Sequence, residues 1–250
     1  MDYLTGAIRY FSTWLSVDPS LFEQGGIFAV CSKERDQKLK GYGRRFPLYC
    51  FMTDRLAVLS YSETIRDRIT GLTDALAAEF SVAHLKRMIE REFGRSPSHS
   101  RKYYFTRLPE GIDISSARQL TRSDYADFLA FHTAQYPEVD QHTWLEAYFV
   151  RIADQGYVFA VYEGGQIASA TSAPDMPYLA DLIVEPGIAT LASFRRKGYA
   201  KTVTAALIQY LLSLGKVPIW SCAFANVGSA TLAERVGYRQ LGEVLHLSEG

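Results

Sequence analysis

EPGIATLASFRRKGYAKTVTAALIQYLLSL, residues 185–214, is the stretch on which the fold turns. It reads as a strand, a basic glycine turn and a long amphipathic helix. Residues 187–191 are a short apolar run with strand character. After Lys201, the residues Val203, Ala206, Leu207, Tyr210, Leu211 and Leu214 recur at three-and-four spacing along one helix face. Gly215 supplies the left-handed residue that ends it. Between strand and helix stand Arg195, Arg196, Lys197, Gly198, Tyr199 and Ala200. A helix N-terminus carries unpaired N–H groups and the positive end of the macrodipole. Three cations, with a glycine and an alanine that admit close backbone approach, turn it into an anion seat that suits a pyrophosphate.

Composition sets the frame. Across 250 residues, 48% apolar and 22% charged content suits a globular protein with a real core. Lys plus Arg and Asp plus Glu both number 27, so net charge argues for no nucleic-acid partner. Cys31, Cys50 and Cys222 form no CxxC and no Cys/His ligand spacing, so no metal site is expected. A sparse, odd cysteine set fits a reducing compartment. With no signal-peptide pattern and no apolar run of spanning length, a soluble cytoplasmic protein without membrane contact is expected.

Outward from the central stretch, residues 1–16 predict an amphipathic helix, and 26–32, 47–52 and 56–61 predict strands. Helical patterns follow at 63–79 and 82–93, the second stopped by Gly94. Residues 95–102, RSPSHSRK, are polar and proline-interrupted, and read as a linker. Strands are expected at 102–107 and 114–120. Thr121 and Asp124 resemble a capping box opening a helix to about 135, with another helix at 142–154. Gly164-Gly165 joins strands at 157–162 and 166–172. A strand at 218–223, a helix at 228–236 and a strand at 239–247 close the chain. Gly41-Tyr42-Gly43 lacks the preceding strand and third glycine of a dinucleotide fingerprint.

The pattern Arg195-x-x-Gly198-x-Ala200 after an apolar strand resembles the acyl-CoA signature of the GCN5-related N-acetyltransferase (GNAT) superfamily. Downstream, Asn226-Val227-Gly228-Ser229 and then Leu232-Ala233-Glu234-Arg235-Val236-Gly237-Tyr238 are similar to that family's second conserved region. The resemblance covers about 115–250 and is to the branch with an extra N-terminal region. It implies an α/β (α+β) acyl-CoA N-acyltransferase fold, a mixed central sheet flanked by helices. Residues 1–95 are then an additional N-terminal α/β domain, a degenerate second copy being one alternative, and 96–114 a linker or edge strand.

The resemblance also implies acetyl-CoA (coenzyme A) as cofactor and transfer of an acetyl group to a primary amine of a small molecule. An aminated natural product is the analogue from that branch. The pyrophosphate would lie on Arg195, Arg196, Lys197, Gly198, Tyr199, Ala200 and Lys201. Backbone at Ala189, Thr190 and Leu191 would pair with the pantetheine, a Leu191 N–H facing the developing oxyanion. Asn226 both caps its helix and meets the pantetheine. Glu185 is the expected base, with Asp175 and Asp181 as alternatives. The family's usual tyrosine is replaced here by Ala233, so Ser229, Cys222, Tyr199 or water must protonate the thiolate. The alternatives are a non-catalytic acyl-CoA-binding module and a transferase using another acyl-CoA. Residues 1–95 would shape the substrate side or a homodimer.

Overall fold

The structure, a computed structural model, describes residues 2–250. Two sheets organise it. The first third supplies α1 (Tyr3–Leu15), α2 (Leu21–Gln24), β1 (Gly26–Cys31), β2 (Arg45–Met52), β3 (Leu56–Tyr61), α3 (Ile69–Ala78) and α4 (Val82–Phe93). Then come β4 (Ser98–Phe105), β5 (Arg118–Gln119), α5 (Tyr125–Gln135), α6 (Leu145–Asp154), β6 (Phe159–Glu163) and β7 (Gln166–Ser172). The chain ends with β8 (Ile183–Val184), β9 (Gly187–Thr190), α7 (Tyr199–Ser213), β10 (Val217–Ala223), α8 (Val227–Arg235) and β11 (Tyr238–Glu249). Seven strands lie in the order β1-β3-β2-β11-β4-β10-β8, and four in the order β5-β6-β7-β9.

Local chemistry explains most boundaries. Asp2 accepts the Thr5 N–H and opens α1. The Thr121 N–H donates to Asp124 at 2.8 Å, as the capping box predicts. Gly164 and Gly165 take φ of 61° and 79°, the pair of left-handed residues a two-residue hairpin needs. The anticipated helix over 63–79 splits into a 3₁₀ turn, Glu63–Arg68, and α3. The anticipated strand at 114–120 shrinks to two residues.

One expectation fails instructively. The polar stretch read as a linker is the start of β4, an internal strand paired antiparallel with both β10 and β11. Its alternation is hidden because its side chains meet polar partners instead of an apolar core. His99 bonds Glu243 at 2.6 Å, and the Arg101 guanidinium lies 4.0 Å over the Phe224 ring. Through β2 and β11 the N-terminal strands therefore continue the same sheet as β4 and β10.

The core on the α1 face of this sheet is aromatic. Trp14 meets the rings of Tyr42, Phe46, Tyr49 and Tyr178 at centroid distances of 5.1–5.8 Å. Arg35 is fully buried among them, its guanidinium 5.9 Å from the Trp14 ring and 5.7 Å from the Tyr49 ring. A second core packs α3 and α4 against β1–β3 and β11. A third joins α5, α6 and α7 to the four-stranded sheet. No helix among the described residues is long and apolar enough to cross a membrane.

His246 on β11 carries a pH consequence. Its ring stacks on Tyr49 and its Nδ1 has no partner. Burial first, then the Lys102 and Arg44 charges, hold its pKa down to about 4. An unfolded histidine titrates near ~6.5. Between about 6.5 and about 4 the unfolded chain thus binds a proton that the folded chain refuses, and stability falls as pH drops through that window. Urea melts of the wild type and His246→Gln across this range test it. The variant should lose less stability between pH 7 and pH 4.5, and equal slopes would remove His246 as the cause.

Candidate active site

The two sheets part at one point in the chain. β8 pairs parallel with β10, Ile183 opposite Val217 and Val184 opposite Pro218. After Glu185-Pro186 the chain enters the other sheet, where β9 pairs antiparallel with β7. Pro186 has no N–H to continue the β10 ladder. Strands β9 and β10 therefore diverge and leave a cleft of about 1200 Å³. Its lining includes Pro186 to Thr190 on one side, Trp220 to Cys222 on the other, and Arg195, Gly198, Asn226 and Ser229 toward the mouth.

At that mouth the turn before α7 is shaped for an anion. Arg196 and Gly198 have φ of 65° and 90°, which turns successive N–H groups toward one concavity. The first helical bond runs from the Thr202 N–H to the Gly198 carbonyl at 3.1 Å. The helix begins at Tyr199, four residues before Val203, where its apolar pattern starts. The N–H groups of Tyr199, Ala200 and Lys201 consequently have no backbone partner among the described residues. Not every expected contact is free. The Lys197 ammonium donates to Glu163 at 2.7 Å and the Tyr199 hydroxyl donates to the same carboxylate at 2.6 Å. Those bonds hold Glu163 below the ordinary carboxylate range and raise Lys197 and Tyr199. Arg195 Nε donates to the Thr190 carbonyl at 3.4 Å. Arg195, Arg196 and Lys201 are exposed and in no ion pair among the described residues, so their charges remain available to the seat.

Along β9 the anticipated oxyanion donor is already used: the Leu191 N–H donates to the Ala168 carbonyl at 3.0 Å. Given the register of β7 with β9, alternation aims the N–H and C=O of Ala189 at β7 as well. The groups of Ile188 and Thr190 point to the open edge instead. Ile188 was not anticipated; counting register back from Leu191 finds it.

On the opposite wall Asn226 caps α8, its Oδ1 accepting the Ser229 N–H at 3.0 Å, and its amide NH₂ stays available. Ser229 Oγ accepts the Trp220 indole N–H at 3.1 Å, so its own hydrogen is free to donate. Burial pushes the Cys222 thiol up. Ala233 is fully buried, and Tyr103 from β4 packs into the same cluster. The Tyr103 hydroxyl is sealed without a partner, and burial raises its pKa to about 12.

Of the three candidate bases, Asp175 is paired with Arg151 at 2.9 Å and Asp181 is exposed. Glu185 is half-buried, its side chain in no ion pair or hydrogen bond among the described residues, at the point where the sheets separate. Its charge reaches Tyr10, Tyr42, Tyr49 and Lys102. Glu185 is not among the residues lining the cleft, and Ile183, two residues earlier on the same face of the chain, packs in the α1-side core.

A split mixed sheet with an anion seat beside the split defines the acyl-CoA N-acyltransferase architecture. The chain belongs to the GNAT acetyltransferase family, whose sequence profile matches residues 74–244. The match begins inside α3, well before residue 115. The chain is 26% identical over 159 residues to YdfB of Bacillus subtilis strain 168, an uncharacterised N-acetyltransferase. That similarity covers 64% of this chain and 56% of the relative, so the chain spans little more than half of that protein's length. Among solved structures, a GNAT-family acetyltransferase from Colwellia psychrerythraea superposes with a TM-score of 0.54 at 14% identity, covering 81% of each chain. A GCN5-related N-acetyltransferase from Sphaerobacter thermophilus gives 0.54 at 14% identity, over 68% of this chain and 56% of that one. These likenesses establish the fold.

Gly198→Ala separates seat from scaffold. Nothing lies within 4 Å of the added Cβ, so the folding cost is the positive-φ strain alone, about 1–2 kcal/mol. Calorimetry with coenzyme A should show affinity reduced roughly tenfold, while the melting temperature falls by only a few degrees. Unchanged affinity would relocate the seat.

Proposed function

We propose that the chain is an acetyl-CoA-dependent N-acetyltransferase acting on a primary amine of a small molecule. The observation that carries the reading is the divergence of β9 and β10 beside unpaired N–H groups at the start of α7. A diphosphate fits that concavity, and an extended amide-bearing arm fits the open edge of β9. Acetyl-CoA, when bound, supplies the activated acyl thioester.

The residues then divide the work. Tyr199, Ala200 and Lys201 N–H groups and the Arg196 charge hold the diphosphate. The Ile188 carbonyl and the Thr190 N–H hold the arm, and the Ile188 N–H is the donor for charge developing on the acyl oxygen. Glu185 takes the proton of the incoming ammonium, directly or through one water. The new nitrogen–carbon bond forms as the carbon–sulfur bond breaks. The second proton lost by the nitrogen goes to the departing sulfur through the Ser229 hydroxyl, which Trp220 holds and which takes one proton as it gives one.

Ala233 favours a second reading, an acyl-CoA-binding module without turnover. The two separate on one preparation. Acetyl-CoA should bind at micromolar to millimolar concentration, and thiol should be released when amines are supplied. Glu185→Gln should lower kcat on the order of 10²–10⁴-fold with acetyl-CoA affinity unchanged. Binding with no product from a broad amine panel supports the module instead, and absence of binding removes both.

A further inference from the structure

On the α1 face of the large sheet, opposite the cleft, two oppositely charged side chains stand apart. Lys102 lies on β4 directly across from Ser221 on β10, two residues from the pair Tyr104 and Ile219 that packs in the α1-side core. Cross-strand partners send their side chains to one face. Lys102 is half-buried, and burial pulls its ammonium below the ordinary lysine value against the opposing pull of Glu185. Glu185 is half-buried too, and the two feel each other's charge. Yet no ion pair within 4.0 Å and no hydrogen bond joins either of them to anything among the described residues.

Holding a cation and an anion partly out of water without pairing them is costly. They are not sealed off, however. The Lys102 ammonium, the Glu185 carboxylate and the hydroxyls of Tyr10 and Tyr49 lack protein partners, and none of these atoms is among the buried, unpaired ones. The rings of Tyr10 and Tyr49 are nearly fully buried, while Tyr42 beside them is 41% exposed. Both charged groups therefore keep some contact with solvent beside an apolar, aromatic wall.

We infer that the acceptor is an amino acid, its ammonium on Glu185, its carboxylate on Lys102 and its side chain against the exposed Tyr42 ring. The inference rests on the N-acetyltransferase reading and sharpens it. A zwitterion satisfies both stranded charges at once, and its ammonium is then the group presented to the thioester. A simple amine would leave Lys102 unpaired and partly desolvated. Such a site rejects the analogue lacking one polar group more strongly than it distinguishes apolar side chains. Arg44, whose charge reaches His246 as Lys102's does, adds positive charge in the same region.

The test pairs L-phenylalanine and L-leucine with phenethylamine and L-phenylalaninamide, at fixed acetyl-CoA, reading thiol release. The amino acids should exceed the carboxylate-free amines in kcat/KM by at least tenfold. Lys102→Met should raise KM for the amino acids by roughly ten- to a hundredfold with a much smaller change in kcat, and erase the preference. Lys102→Arg, which keeps the charge, should retain a good part of it. Equal use of amino acids and carboxylate-free amines overturns the inference, as does an unchanged KM in Lys102→Met. Calorimetry of L-phenylalanine on the coenzyme A-loaded protein makes the test independent of turnover. Binding that Lys102→Met abolishes supports the inference even where no amine is acetylated, in which case the catalytic reading alone has failed. No binding, or equal binding of phenethylamine, overturns the inference while leaving acetyl-CoA binding to stand by itself.

Discussion

The structure depends on a backbone that cannot serve two sheets at once. At Val184 the chain is still bonded to β10; at Gly187 it is bonded to β7. Glu185 and Pro186 are the two residues between. Proline lacks the donor that would keep the ladder to β10 closed. Gly187 is hemmed in as well: a Cβ there would lie 2.5 Å from Ser172 Oγ. The rupture leaves unpaired main chain on both sides, and such groups need partners. An amide-rich ligand arm is one partner of the right kind.

The first third of the chain adds to this core rather than standing beside it. β2 pairs with β11, and α1 packs over β4, β8 and β10. The ring cluster around Trp14 thereby reaches the sheet face near Glu185, through Tyr42 and Tyr49. Burying Arg35 within that cluster constrains the loop carrying it. Its Nη2 donates to the Trp14 carbonyl at 2.9 Å, while Nε and Nη1 find no partner. A lone buried guanidinium is costly to keep, and the two flanking rings offset part of that cost.

Much of this was legible in the sequence because local chemistry and final structure agree there. The cap at Asn226, the hairpin glycines and the turn ending at Gly198 each need a particular residue type at a particular place. What was not legible depends on pairing over long separations. Ser98–Phe105 looks like a linker until β10 and β11 flank it, and with it Lys102 and Tyr103 go unnoticed as neighbours of the site. The Leu191 N–H looks available until the register of β7 claims it. Lys197 reads as a phosphate ligand until Glu163, on a distant hairpin, is brought within reach.

That tether from Glu163 to both Lys197 and Tyr199 has a meaning for binding. The turn is fastened to the hairpin at two points, so its left-handed residues are set when the protein folds and not when a ligand arrives. Less chain entropy remains to be lost on association. An incoming anion meets a turn already set, so less of its binding free energy goes into ordering the chain.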